Sequence, residues 1–239
     1  MGSVMPSRPV ELLIRGNDVL RRVLYRSTRA TRLLTGLDLE PARSTTYFEL
    51  GTLAMARALR DVLRPGMRVA DVGTGPYAIL SLWALRRWDL DVVASEVHPP
   101  WVEHARRMAE RNGLTLDVRC CDLLSDVEPG LDVTWFVPPF IPEAVFAREL
   151  EMAGLDDPVA AEELRLRTCG GVEGWELVDR WFAQAAERLA PGGRAITVVN
   201  EAHLPSQSLV DLAAQRGFGP PNTSGLPGLP YRVLDFGLA

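Results

Sequence analysis

Apolar positions along the chain follow two periods, and the change between them falls near Met67. Within residues 10–40, Val19, Leu20, Val23 and Leu24 recur at helical spacing, while Arg22, Arg26, Arg29 and Arg32 fall on another face. Leu50, Leu53, Ala54, Ala58 and Leu59 carry a helical pattern through 41–66, which stops at Pro65-Gly66. Beyond it, short apolar runs (Met67–Val72, Asp91–Val97, Leu116–Cys121, Asp132–Val137 and Arg194–Val199) alternate with amphipathic stretches at about 76–88, 100–112, 174–189 and 206–216. That alternation predicts βαβ units and a parallel sheet. Pro99-Pro100 opens the second of these helices, Asn112-Gly113 closes it, and Val233–Leu238 predicts a last strand, antiparallel at the edge. Residues 1–64 are then a helical segment serving as a substrate cap or docking element, and 65–239 form the core.

Composition narrows the chemistry. All 26 basic residues counted as Lys+Arg are arginine, so a Schiff-base lysine, a lysine base and a P-loop are all excluded. A net charge of -5 argues against a general nucleic-acid binder, whose affinity comes from cationic surface facing phosphates. Cys120, Cys121 and Cys169 form no CxxC pair, so no metal site is expected, and the adjacent pair is expected to fill a buried strand. No apolar stretch approaches the ~18 residues of a membrane span, and Met1–Pro9 has no apolar signal region. A cytoplasmic protein is expected.

In a sheet of this kind ligands bind beyond the carboxyl ends of the strands, and candidate residues cluster there. The first strand runs into Asp71-Val72-Gly73-Thr74-Gly75, where the glycines let the backbone turn and approach a ligand. Glu96 closes the second strand, where a pair of ribose hydroxyls would need a charged acceptor. Asp122 closes the third, positioned for the exocyclic amine of an adenine. A nicotinamide dinucleotide would need GxGxxG, and Pro76-Tyr77-Ala78 follows Gly75 instead. Each acid alone could be a cap or a surface carboxylate; three at successive strand ends point to one site.

These motifs resemble class I S-adenosylmethionine-dependent methyltransferases. The fourth strand and its loop, Leu131 to Pro142 with Val137-Pro138-Pro139-Phe140, are similar to the strand and Asn-Pro-Pro-Tyr loop of the release-factor glutamine methyltransferases. Gly170-Gly171-x-x-Gly174 and Ala190-Pro191-Gly192-Gly193 follow in that family's order, so the resemblance covers about 68–200. It implies an α/β, Rossmann-like, doubly wound and mostly parallel seven-stranded sheet with S-adenosyl-L-methionine as cofactor. It also implies that Asp71, Gly73, Thr74, Gly75, Tyr77, Glu96, Val97, Asp122 and Leu123 bind that cofactor, and that Pro138, Pro139 and Phe140 shape the acceptor slot.

Two positions depart from the family. Tyr77 stands at its third glycine, implying a tighter loop or a ring turned away. Val137 stands at its asparagine, whose side chain accepts a hydrogen bond from the target nitrogen; valine offers no acceptor. For that reason, and because Trp135, Phe136, Phe140, Ile141 and Phe146 suggest an apolar slot, the acceptor expected is a nitrogen or oxygen of a small molecule such as a specialised metabolite. A protein glutamine or amino group is the alternative, docked by a loop Glu143–Thr168 and residues 10–50, and a non-catalytic cofactor-binding regulator is a third reading. His203, following the fifth strand, is the candidate base, with Glu201 and Glu143 behind it.

Overall fold

The computed structural model describes residues 27–41, 49–153 and 157–238. The apolar and arginine positions 19–26 lie outside the described residues. The helices are α1 (Thr28–Thr35), α2 (Leu50–Val62), α3 (Ile79–Leu85), α4 (Pro99–Arg111), α5 (Glu143–Ala153), α6 (Pro158–Thr168), α7 (Glu176–Arg188) and α8 (Ser206–Gln215). The strands are β1 (Arg68–Val72), β2 (Asp91–Glu96), β3 (Asp117–Cys120), β4 (Leu131–Phe136), β5 (Ile141–Pro142), β6 (Cys169–Gly171), β7 (Leu189–Asn200), β8 (Asn222–Gly225) and β9 (Tyr231–Gly237).

Seven strands form one sheet in the order β3-β2-β1-β4-β7-β9-β8. The pairs β3/β2, β2/β1, β1/β4 and β4/β7 are parallel, whereas β9 runs antiparallel to both β7 and β8. The doubly wound, mostly parallel seven-stranded sheet is as expected. Strand order reverses between β1 and β4, which opens a crevice at their carboxyl ends.

Strand alternation sends side chains to two hydrophobic clusters, one on each face. Val69, Val133, Trp135, Ile196 and Val198 join α2, α3 and α4 on one face, while Ala70, Val72, Phe136, Ala195 and Phe236 meet α7 and α8 on the other. Met55 and Leu59 of α2 are fully buried in the first cluster, so this described part of 1–64 shares the core of the sheet. Leu37 and Leu39 join it too, held by Asn112, whose Oδ1 accepts from the Asp38 N–H (2.8 Å) and whose Nδ2 donates to the Asp38 carbonyl (2.9 Å). Arg29 and Arg32 are exposed on α1.

Several expectations are corrected. The last strand is not at the edge, because β8 covers it; Asn222-Thr223-Ser224-Gly225 has no apolar position from which periodicity could reveal a strand. Residues Glu143–Thr168 are not one loop but include α5 and α6, joined by a linker whose centre lies outside the described residues. Nothing in α6 is fully buried and α5 buries Phe146, so neither helix has the broad apolar stripe that marks a packed one. Cys120 is exposed rather than buried, since β3 is itself an edge strand. None of the described helices is long and apolar enough to cross a membrane.

Candidate active site at the carboxyl edge of the sheet

A pocket of about 1010 Å³ opens at the strand-order reversal. The expected cofactor-binding residues, the Val137–Phe140 loop and His203 line it: Asp71, Gly73, Thr74, Gly75, Tyr77, Glu96, Val97, Asp122, Leu123, Val137, Pro138, Pro139, Phe140 and His203.

The loop after β1 turns through left-handed backbone at Gly73 (φ +62°) and Gly75 (φ +68°). A Cβ at Gly73 would sit 3.1 Å from the Phe136 ring, whereas one at Gly75 would meet no atom within 4 Å and would stand in the open space a ligand needs. Asp71 underlies this loop, only 3% exposed, and its Oδ2 accepts from Thr74 Oγ1 (2.8 Å) and Ser81 Oγ (2.5 Å). Burial pushes its carboxyl up to about 6, an effect the two hydroxyls offset only in part. Asp71 thus ties the end of β1 to the loop and to α3.

Glu96, 4% exposed, reaches the loop from β2. Its Oε2 accepts from the Gly75 N–H (3.1 Å) and its Oε1 from the His98 N–H (3.0 Å). Burial raises its carboxyl above the ordinary range, and the nearby Asp71 charge adds to this while the backbone donors pull against it. One N–H on each oxygen leaves accepting capacity for hydroxyls in the pocket. Tyr77 is buried with its ring in a T-shaped contact with that of His104 on α4 (centroids 5.0 Å apart). The left-handed turn that a third glycine would make falls instead on Ala78 (φ +44°).

Across the crevice Asp122 is half-exposed and ion-paired with Arg180 of α7. Leu123 beside it is held in left-handed backbone (φ +54°), and the next N–H donates to Gln184 Oε1 (2.6 Å). A leucine in that conformation costs on the order of 1 kcal/mol, which this anchor helps sustain.

The Pro138-Pro139-Phe140 loop is clamped from outside. β5 and β6 pair Ile141 with Cys169 and Pro142 with Gly171, and the Gly170–Gly174 turn lies directly on the loop backbone. A Cβ at Gly170 would sit 2.3 Å from the Gly174 carbonyl oxygen and 2.7 Å from that of Pro139. Since both obstacles are backbone, Gly170→Ala is expected to lower unfolding stability by about 2–4 kcal/mol. A denaturant midpoint equal to the wild type's would show that the clamp gives way freely.

The other acceptor-side expectations divide. Phe136, Phe140 and Ile141 line the pocket; Trp135 and Phe146 do not, Trp135 being fully buried in the core. His203 lines the rim but is exposed on a turn held by its N–H to the Asn200 carbonyl (2.9 Å). Glu201 turns to Arg232 (3.3 Å) and Ser206 (2.9 Å), and Glu143 begins α5; neither lines the pocket. Residues that the sequence did not single out also line it: Glu49 and Thr52 at the start of α2, Arg165 and Arg167 of α6, Arg180, Asn200 and Tyr231. Asn200 carried a usable signal, as a polar residue ending a parallel strand, whereas the arginines come from helices that only the fold brings to the crevice.

No protein-family model matches the chain. Over 82 residues it is 43% identical to the ribosomal protein L11 methyltransferase of Symbiobacterium thermophilum, covering 34% of this chain and 27% of that protein. Over 202 residues it is 29% identical to the release factor glutamine methyltransferase of Bradyrhizobium diazoefficiens, covering 84% and 65%. The chain therefore spans less than two thirds of the length of these curated relatives. Among solved structures, a methyltransferase from Pyrococcus furiosus superimposes with a TM-score of 0.63 at 19% identity, covering 98% of this chain and all of that one. The T. thermophilus 16S rRNA N2 G1207 methyltransferase, solved with AdoMet and guanosine, superimposes with a TM-score of 0.59 at 22% identity, covering 80% and 44%.

These names overturn the expectation of a small-molecule acceptor. Both relatives are named for protein acceptors and one neighbour for ribosomal RNA, so Val137 and the apolar slot do not single out a metabolite. The chain is a relative, at modest identity, of the release factor glutamine methyltransferases, and it has the Rossmann-like fold of the methyltransferases it superimposes on.

Proposed function

We propose that the chain is an S-adenosylmethionine-dependent methyltransferase whose acceptor is a nitrogen on a protein, of the release-factor glutamine type. The observation that carries this reading is one pocket joining the glycine loop, the buried Glu96 carboxylate and the Pro138-Pro139-Phe140 loop, in a chain related to enzymes named for protein acceptors. The residues suit the cofactor. Glu96 keeps accepting capacity for the ribose hydroxyls, the backbone of Gly73–Gly75 leaves room for the methionine part, and Leu123 with Asp122 would border the adenine. When bound, S-adenosylmethionine would supply an activated methyl group on a sulfonium for the acceptor nitrogen's lone pair, with the C–S bonding pair left on sulfur and the surplus proton released to water. The chain's own contribution is then proximity and alignment.

A polypeptide acceptor is further supported by α5 and α6 beside the mouth. Leu164 to Thr168 line the pocket, while Val145, Met152, Val159 and Val172 are exposed, apolar surface suited to a docked protein chain. Residues 1–64 would add to that docking surface.

Incubating the chain with labelled S-adenosylmethionine and, separately, a purified release factor, ribosomal protein L11 and a metabolite extract tests this. Label is expected on a glutamine of the release factor, located by mass spectrometry. Transfer to neither protein would overturn the reading.

A further inference from the structure

Resting on that reading, the acceptor end of the pocket needs a group to hold a carboxamide. A carboxamide nitrogen is planar, with its lone pair delocalised toward the carbonyl, so an unheld one presents little electron density to a methyl group. The Val137 side chain has no polar atom, so a backbone carbonyl there could hold one N–H but nothing there donates to the target carbonyl, and the Phe136 carbonyl already accepts from Thr197 Oγ1 (3.1 Å). Asp71 and Glu96 lie at the glycine-loop end, Asp122 and Arg180 are paired with each other, Arg165 is paired with Glu162, and His203 is exposed.

We infer that Asn200 binds the acceptor, pairing its own carboxamide with the target carboxamide. Asn200 is only 9% exposed and yet lines the pocket. Its Oδ1 accepts from the Ala202 N–H (3.1 Å), which fixes the plane of the side chain and leaves a second lone pair. Among the described residues, Nδ2 donates to none. β7 continues three residues beyond the Phe136↔Thr197 pair, so Asn200 stands level with the Pro138-Pro139 loop, braced by Tyr231 on β9. Two N–H···O bonds, one each way, would fix both carbonyl and nitrogen of a target amide. The residue that specifies an amide acceptor thus sits on β7, the strand neighbouring the one that carries Val137.

Asn200→Asp tests this, because it keeps an oxygen for the Ala202 N–H and replaces the donating nitrogen with a charged acceptor oxygen. The expected result is a fall of about 10²-fold in kcat/KM for a release factor, with unchanged S-adenosylmethionine affinity and melting temperature. Affinity for a glutamine-bearing peptide, measured calorimetrically with S-adenosylhomocysteine present, should fall about tenfold. A variant retaining activity within about threefold of wild type, or losing it only in step with its melting temperature, would assign Asn200 to the turn alone and overturn the inference. If instead the wild type methylates no protein amide, the parent reading fails, and this one with it.

Discussion

Glu96→Ala is expected to weaken S-adenosylmethionine binding by at least about 10²-fold in calorimetry, with the fold retained. An ionised carboxylate accepting from a hydroxyl contributes about 1.5–3 kcal/mol per bond, and two ribose hydroxyls would share this one. Two further effects act on the protein alone. Removing the side chain leaves the Gly75 and His98 N–H groups without their acceptor, which loosens the glycine loop. It also removes a buried carboxyl whose ionisation the fold disfavours, which offsets part of that cost. Glu96→Gln, keeping an acceptor oxygen but not the charge, should fall between the two. Unchanged affinity in the alanine variant would sink the ribose assignment.

The second large effect is on pH. Asp71 titrates at about 6 in the fold against an ordinary 3.8, so ionising it there costs about 3 kcal/mol more than in the unfolded chain. Between those values the folded state holds more protons than the unfolded state, so stability falls as pH rises through the window and is flat above it. Acidification from about pH 7 to 5 is therefore expected to stabilise the ligand-free protein by about 1 kcal/mol through this group. Raised as well, Glu96 adds in the same direction. Cofactor affinity should move oppositely, because protonated Asp71 and Glu96 hold hydroxyls and a cationic ligand less well. In Asp71→Asn the acid stabilisation should shrink; melting curves across the range that coincide in slope for both proteins would refute the assignment.

The glycine loop and the acids at the ends of β1, β2 and β3 were legible because each sits at a fixed offset from an apolar run, and offsets are local. The resemblance through Val137-Pro138-Pro139-Phe140 was legible for the same reason. Misreadings arose where the pattern is weak. α6 buries no residue completely, so no apolar stripe marks it, and β8 is polar throughout because it covers the sheet edge. The small-molecule acceptor rested on Val137 and on an apolar slot, and two of that slot's aromatic residues, Trp135 and Phe146, do not line the pocket.

By itself, the sequence determined the five parallel strands and the last antiparallel one, the position of the cofactor-type loop and the three strand-end acids, since periodicity and glycine placement are written residue by residue. Tertiary structure alone decided that Asn200, Arg180 and the first turn of α2 meet those residues in one pocket, that Tyr77 turns its ring to His104, and that burial lifts Asp71 to about 6. Those outcomes depend on which strands become neighbours and on how much water is excluded between them, and neither is a property of any local stretch of chain.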